Sequence, residues 1–148
     1  MATPMATQIA RIIDPVTITD GETVAGNLDC LNADWASIDV LLGTAQTTAA
    51  GTLEFSVLHS NDTVVTNFAT LAATVSLSNI GTQTGKVRSI EVNAAHRKRY
   101  LRLAVTAGAA SGDVIIGAVG RLHRMDVEPE NTTDMVVSTS DQSIQLLP

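Results

Sequence analysis

Along much of the chain, apolar and polar residues alternate with a period of two, the spacing of a strand with one face in a core and one in water. Thr52-Leu53-Glu54-Phe55-Ser56-Val57 is the cleanest case, turning Leu53, Phe55 and Val57 one way and Thr52, Glu54 and Ser56 the other. Trp35 to Leu42 places Ile38, Val40 and Leu42 opposite Ser37 and Asp39, and Arg99 to Thr106 sends Leu101, Leu103 and Val105 inward. Lys86 to Val92 and Asp113 to Leu122 read as further strands. Near the start, Pro15 opens a short strand over Val16-Thr17-Ile18-Thr19, which Asp20-Gly21 turns. The expected core is Ile38, Val40, Phe55, Val57, Leu101, Leu103 and Val105.

Between the strands lie runs rich in Gly, Ser, Ala and Thr, such as 43–51, Ser60-Asn61-Asp62 and Gly108 to Asp113. Short strands punctuated in this way predict an all-β fold, an antiparallel β-sandwich of jelly-roll or Ig-like type with extended terminal arms. Asn67 to Ser78 could open as a helical turn, because Phe68, Leu71, Ala72 and Val75 fall at helical spacing, although its Thr and Val content favours strand.

The ends depart from this pattern. Residues 1–14 are expected to form an N-terminal arm or the first strand, 15–124 the sandwich, and 125–148 an extended C-terminal arm. Met125 to Asp134 is acidic, holds Pro129 and lacks periodicity. Beyond it, Met135, Val136 and Val137, and then Ile144, Leu146 and Leu147, are apolar again. Such residues gain nothing in water and are expected to dock, on this domain or on another chain. Ile9, Ile12 and Ile13 are the matching candidates at the other end.

Composition narrows the functions. The chain has 148 residues, the size of one ordinary domain, and is 16% charged where roughly 25% is usual. A modest supply of solvating charge suits a surface partly covered by partners. The net charge of −6 argues against a phosphate backbone as the main partner. Trp35, Phe55, Phe68 and Tyr100 are the only aromatics, few for stacking bases or sugars. Cys30 stands alone, so neither an intrachain disulfide nor a thiolate cluster can form, and it reads as a small buried hydrophobe. The start shows no apolar run of signal-peptide length and no stretch approaches ~20 apolar residues, so a cytosolic site of synthesis and no membrane role are expected. Charge is also segregated: residues 1–62 carry eight acids against Arg11, and 86–124 carry eight bases against Glu91 and Asp113. That pattern can steer contact between chains, or set acidic strands beside basic ones within one fold.

Candidate chemistry is sparse. His59, His96 and His123 do not lie at metal-ligand spacing, and no nucleophile-elbow, zincin, phosphate-loop or calcium-loop motif is present. His59-Ser60-Asn61-Asp62 gathers polar groups, but these are the residues a turn prefers. His96-Arg97-Lys98-Arg99 is the dense basic cluster and precedes a strong strand. A solvated loop or an ionic contact to an acidic neighbouring subunit accounts for Arg97, Lys98 and Arg99 better than nucleic acid does. No enzyme and no cofactor are expected.

Three segments carry a resemblance: Asp34 to Gly43, Leu53 to Asp62 running into a Ser-x-Asp turn, and Lys98-Arg99-Tyr100-Leu101-Arg102-Leu103. Together they resemble, in pattern over residues 30–124, capsid decoration (cement) proteins of tailed bacteriophages. That resemblance implies a virion structural protein on the outer capsid surface, assembled in the host cytoplasm, with itself (as a homotrimer) and the major capsid protein as partners. The alternatives are a phage tail, neck or fibre-base protein and a β-sandwich carbohydrate- or receptor-binding module.

Overall fold

The computed structural model describes residues 7–45, 51–71, 74–78, 80, 85–94, 97–123 and 135–137. They form an all-β molecule with strands β1 (Thr7–Ile18), β2 (Thr23–Asp29), β3 (Trp35–Ala45), β4 (Thr52–Ser60), β5 (Ala69–Thr70), β6 (Val75–Ser78), β7 (Val87–Asn93), β8 (Tyr100–Ala107), β9 (Val114–His123) and β10 (Met135–Val137). One sheet runs β1-β9-β3-β7-β10 and the other β2-β8-β4-β5, with β6 also paired to β4. β5 lies beside Leu58 and His59, and β6 beside Thr52 to Phe55, so the two share one edge position. Every pairing is antiparallel. From β1 to β4 and again from β6 to β9 the chain alternates between sheets, and the order 1-9-3-7 facing 2-8-4-(5,6) is that of a jelly roll.

The core lies between the sheets, where the period-two pattern requires it. Ala36, Ile38, Val40 and Leu42 of β3, Ile90 and Val92 of β7, and Val114, Ile116, Ala118 and Leu122 of β9 face Leu53, Phe55 and Val57 of β4 and Leu101, Leu103, Val105 and Ala107 of β8. All are buried, the expected core residues among them. Cys30 joins this cluster.

The 67–78 segment departs from a helical reading. A short 3-10 turn spans Val65–Asn67, and the chain then enters β5 and β6. The β-branched residues there pair with β4 rather than coil, because β4 would otherwise present an unpaired edge.

Residues Thr7–Ile18 are the first strand, on an edge of the first sheet. Register shifts between Arg11 and Ile13 and between Ile13 and Val16, with Pro15 inside the strand, blunt this long edge against pairing with another chain. Closure onto the second sheet depends on Gly26, where a Cβ would lie 1.9 Å from the Ile12 carbonyl oxygen. A bare backbone at that point lets the edge strands β1 and β2 approach and seal one side of the sandwich.

Candidate interaction surface

Register places the β2–β3, β4–β5 and β7–β8 connections at one end of the molecule, since Tyr100 lies opposite both Asp29 and Ser60 and Trp35 lies opposite Asn93. Each connection is held by short-range polar bonding. Asp29 Oδ1 accepts from the Leu31 amide (3.1 Å), and Asn32 sits at φ 63°, a left-handed value that Asn tolerates. In the next loop Ser60 Oγ accepts from the Asp62 amide (3.2 Å). Asp62 in turn accepts from the Val64 amide (2.9 Å) and the Asn67 side chain (2.8 Å). These bonds hold the Asp62 carboxyl below its usual range, Asn67 contributing most. The polar run from His59 to Asp62 is thus a turn, with its carboxylate committed to local amides.

This scaffold exposes large apolar side chains at loop tips: Leu31 (58%), Val64 (54%) and Val65 (61%). Strands β2 and β4 flank β8, which puts the two tips about 10 Å apart at their bases. The basic loop lies in the same end. Arg99 is clamped to Asp29 by two bonds (2.9 and 2.6 Å) and lies 4.8 Å from the Tyr100 ring centroid. Its charge is therefore matched within the chain, and the Asp29 carboxyl is lowered mainly by that guanidinium. Arg97 and Lys98 are half-buried. Their charges assist burial in lowering the His59 pKa, and His59 Nδ1 is buried without a hydrogen-bond partner among the described residues. A cleft of about 340 Å³ lies between the loops, lined by Leu31, Asn32, Asp34, Ala94, Arg97 and Arg99 among others.

The outer face of the first sheet has two characters. Toward the loop end it is polar and inward-bonded. Glu91 Oε2 accepts from Trp35 Nε1 (2.5 Å) and Ser37 Oγ (2.7 Å), while Asp39 accepts from Ser89 Oγ (2.6 Å) and pairs with Arg121 (2.7 Å). The Arg99–Asp29 and Arg121–Asp39 pairs each join an early acid to a late base, so the charge segregation is used at least partly inside the fold. Away from the loop end the same face becomes an apolar groove of about 370 Å³, lined by Ile13, Pro15, Leu41, Val87, Ala118 and Val119, with Arg11 and Asp39 at its polar margin.

The sequence candidates are scattered. Ile9 is exposed on β1, whereas Ile12 packs beside Gly26 and Gly120 and Ile13 is buried in the core while touching the groove. Met135, Val136 and Val137 form β10, paired with Val92, Glu91 and Ile90 of the same chain. Ile144, Leu146 and Leu147 lie outside the described residues. Sequence reasoning missed Leu31, Val64, Val65, Leu41, Val87 and Val119. The signal for Leu41 was its place in Val40-Leu41-Leu42, since adjacent apolar residues on a strand cannot both face inward. Val64-Val65, an apolar pair in a polar turn, carried a similar signal.

Among the described residues no three His, Cys, Asp or Glu side chains are placed to share a metal ion. Of the four aromatics, Trp35 and Phe55 are buried, and Phe68 and Tyr100 are half-buried beside Arg102 and Arg99.

The strand order and the two faces define an antiparallel jelly-roll sandwich whose distinctive surfaces are apolar. No family model matches the chain, and neither does any curated protein. Among solved structures it is similar to the VP2 subviral particle of infectious bursal disease virus (TM-score 0.50, 11% identity, over 90% of this chain and 36% of that one). It is also similar to the SPBc2 prophage-derived protein YomS (0.48, 10%, 83% and 97%) and to the Eiger TNF of S. frugiperda (0.45, 14%, 88% and 99%). At these identities the likeness is one of fold, and the chain spans about a third of the length of VP2.

Proposed function

We propose that this chain is a virion structural protein that decorates a bacteriophage capsid, seating its loop end across neighbouring major capsid subunits. The observation that carries this reading is the loop end itself. Leu31, Val64 and Val65 project from loops in which Asp29, Ser60 and Asp62 already bond to local amides, beside a basic segment. Apolar tips on a stiff, internally bonded scaffold suit docking: they lose little conformational freedom on contact and leave few polar groups to desolvate. A jelly roll is also a fold that viral capsid domains use. Self-association, as a homotrimer, would multiply weak loop contacts into stable attachment.

A glycan-binding module is disfavoured by the placement of the aromatics, since Trp35 and Phe55 are buried and Arg102 and Arg99 lie over the half-buried rings of Phe68 and Tyr100. A tail, neck or fibre-base role uses the same surface and differs in copy number. The test is immunodetection and gel densitometry on purified particles. An abundance near that of the major capsid protein is the expected result. A few copies per particle would move the protein to the tail or neck, and its absence from particles would overturn the reading.

A further inference from the structure

The loop end carries an excess of bases in an acidic molecule. Arg97, Lys98, Arg99 and Arg102 stand there against Asp29, Asp34 and Asp62, while the whole chain has a net charge of −6. Two of those acids are already committed. Asp29 is held by Arg99 through two hydrogen bonds, and Asp62 accepts from the Val64 amide and the Asn67 side chain. Charge more than about 8 Å away is largely screened at physiological salt, so a partner touching this end meets its local charge.

The basic segment also lies between the apolar tips. It leads into β8, which β2 and β4 flank. Arg97 and Leu31 line the same cleft, and the Cys30 amide donates to the Arg99 carbonyl (2.8 Å), tying the segment to the β2–β3 connection. On the other side the Lys98 charge acts on Asp62, the acceptor of the Val64 amide. Leu31, then Arg97 and Lys98, then Val64 and Val65 thus follow one another across the end. Resting on the reading of this end as a docking surface, we propose that its partner is a protein surface presenting carboxylates between apolar side chains. Arg97 and Lys98 receive the carboxylates, and the loop tips receive the apolar groups.

Other partners fit less well. A phosphate backbone would meet Asp34 and Asp62 in the same surface, and the rings of Phe68 and Tyr100 already lie against Arg102 and Arg99. Anionic membranes are held by clusters of about 4–8 Lys and Arg, more than remain here once Asp29 matches Arg99. His59 reports on the site. Burial, then Lys98 and Arg97, lower its pKa, while its strand neighbours Leu101 and Ala69 carry no charge. A carboxylate seated on those two cations cancels part of their field, so the His59 pKa should rise on binding.

The test is NMR on the full chain, titrated into the millimolar range with the blocked peptide Glu-Leu-Glu-Leu-Glu and separately with Lys-Leu-Lys-Leu-Lys. The acidic peptide alone should shift the amides of Arg97 and Lys98 and the methyls of Leu31, Val64 and Val65, and raise the His59 midpoint. Lys98→Glu should weaken that binding about threefold to tenfold. Equal shifts with both peptides, shifts confined to other surfaces, no shifts at all, or an unmoved His59 midpoint would each overturn the proposal. So would binding to phosphatidylglycerol vesicles in place of the acidic peptide. The peptide requires no particle, which separates the two readings: a chain that binds it yet is missing from particles keeps this partner chemistry and loses the virion role.

Discussion

Individual side chains show how burial sets reactivity in this molecule. Cys30 is packed in the core, where burial is the main cause pushing its thiol up to about 12. With so little thiolate at neutral pH, the folded chain should resist iodoacetamide at pH 8 and become labelled only as it unfolds, read by mass spectrometry along a denaturant series. Labelling at the rate of a free thiol without denaturant would contradict this burial. Phe55 is the largest wholly buried side chain and faces the opposite sheet. Phe55→Ala should therefore lose about 3–5 kcal/mol in chemical denaturation. A melt identical to the parent would mean that β4 turns its other face inward, because a one-residue slip inverts every side chain. His59 has a sign that can be checked. Burial first, and then Lys98 and Arg97, lower its pKa below 6.5 in the fold. As pH falls through 6.5 the unfolded chain takes up a proton that the folded chain declines, so stability drops until the folded value is passed. The Tm of the parent should accordingly fall more than that of His59→Gln between pH 7.5 and 5.5.

At the scale of strands, the sequence was legible wherever one face met the core and the other met water. Residues 53–57 and 101–105 alternate for this reason; β8 lies within one residue of the predicted span, while β4 runs three residues beyond it, to Ser60. Legibility failed where two-sidedness failed. β7 runs buried from Arg88 to Asn93 because its outer face carries Ser89 and Glu91 in bonds to Asp39, Trp35 and Ser37. No local pattern announces a polar residue buried by a partner from a distant strand. β5 and β6 are too short to show a period and exist through pairing with β4. The candidate surface was legible only in part: the basic loop stood out, whereas Leu31 and the Val64-Val65 pair needed the turn geometry to appear as tips. Gly26 is likewise silent in sequence, yet it controls how β1 closes over β2. Gly26→Ala should cost about 1–3 kcal/mol in a thermal or denaturant melt, since the added carbon meets backbone that cannot rotate aside. A neutral effect would show that β1 can lift from β2 freely, and that this side of the sandwich is not sealed by their contact.

For the whole molecule, the question is what the residues after β9 contribute to folding and to assembly. Among the described residues the buried core cluster runs from Ile13 to Leu122, inside the part of the chain that ends with β9. β10 pairs its three residues with Val92, Glu91 and Ile90 on the outer edge of β7. A chain ending at Arg124 should therefore still melt cooperatively, with a modest loss from the missing edge pairs. It would also leave β7 as an uncovered edge. The intact chain is expected to be a homotrimer or larger, because the apolar loop tips and low charge leave more adhesive surface than a monomer of this size usually shows. Light scattering from micromolar to near-millimolar concentrations checks both points. If the C-terminal arm links subunits, the shortened chain should fall to monomer mass while keeping its melt. If the loop tips alone hold the assembly, the shortened chain keeps the parent's mass. A shortened chain that does not fold at all would make β10 an essential strand of the sandwich, and an intact chain that stays sharply monomeric throughout would remove self-association from the proposed function.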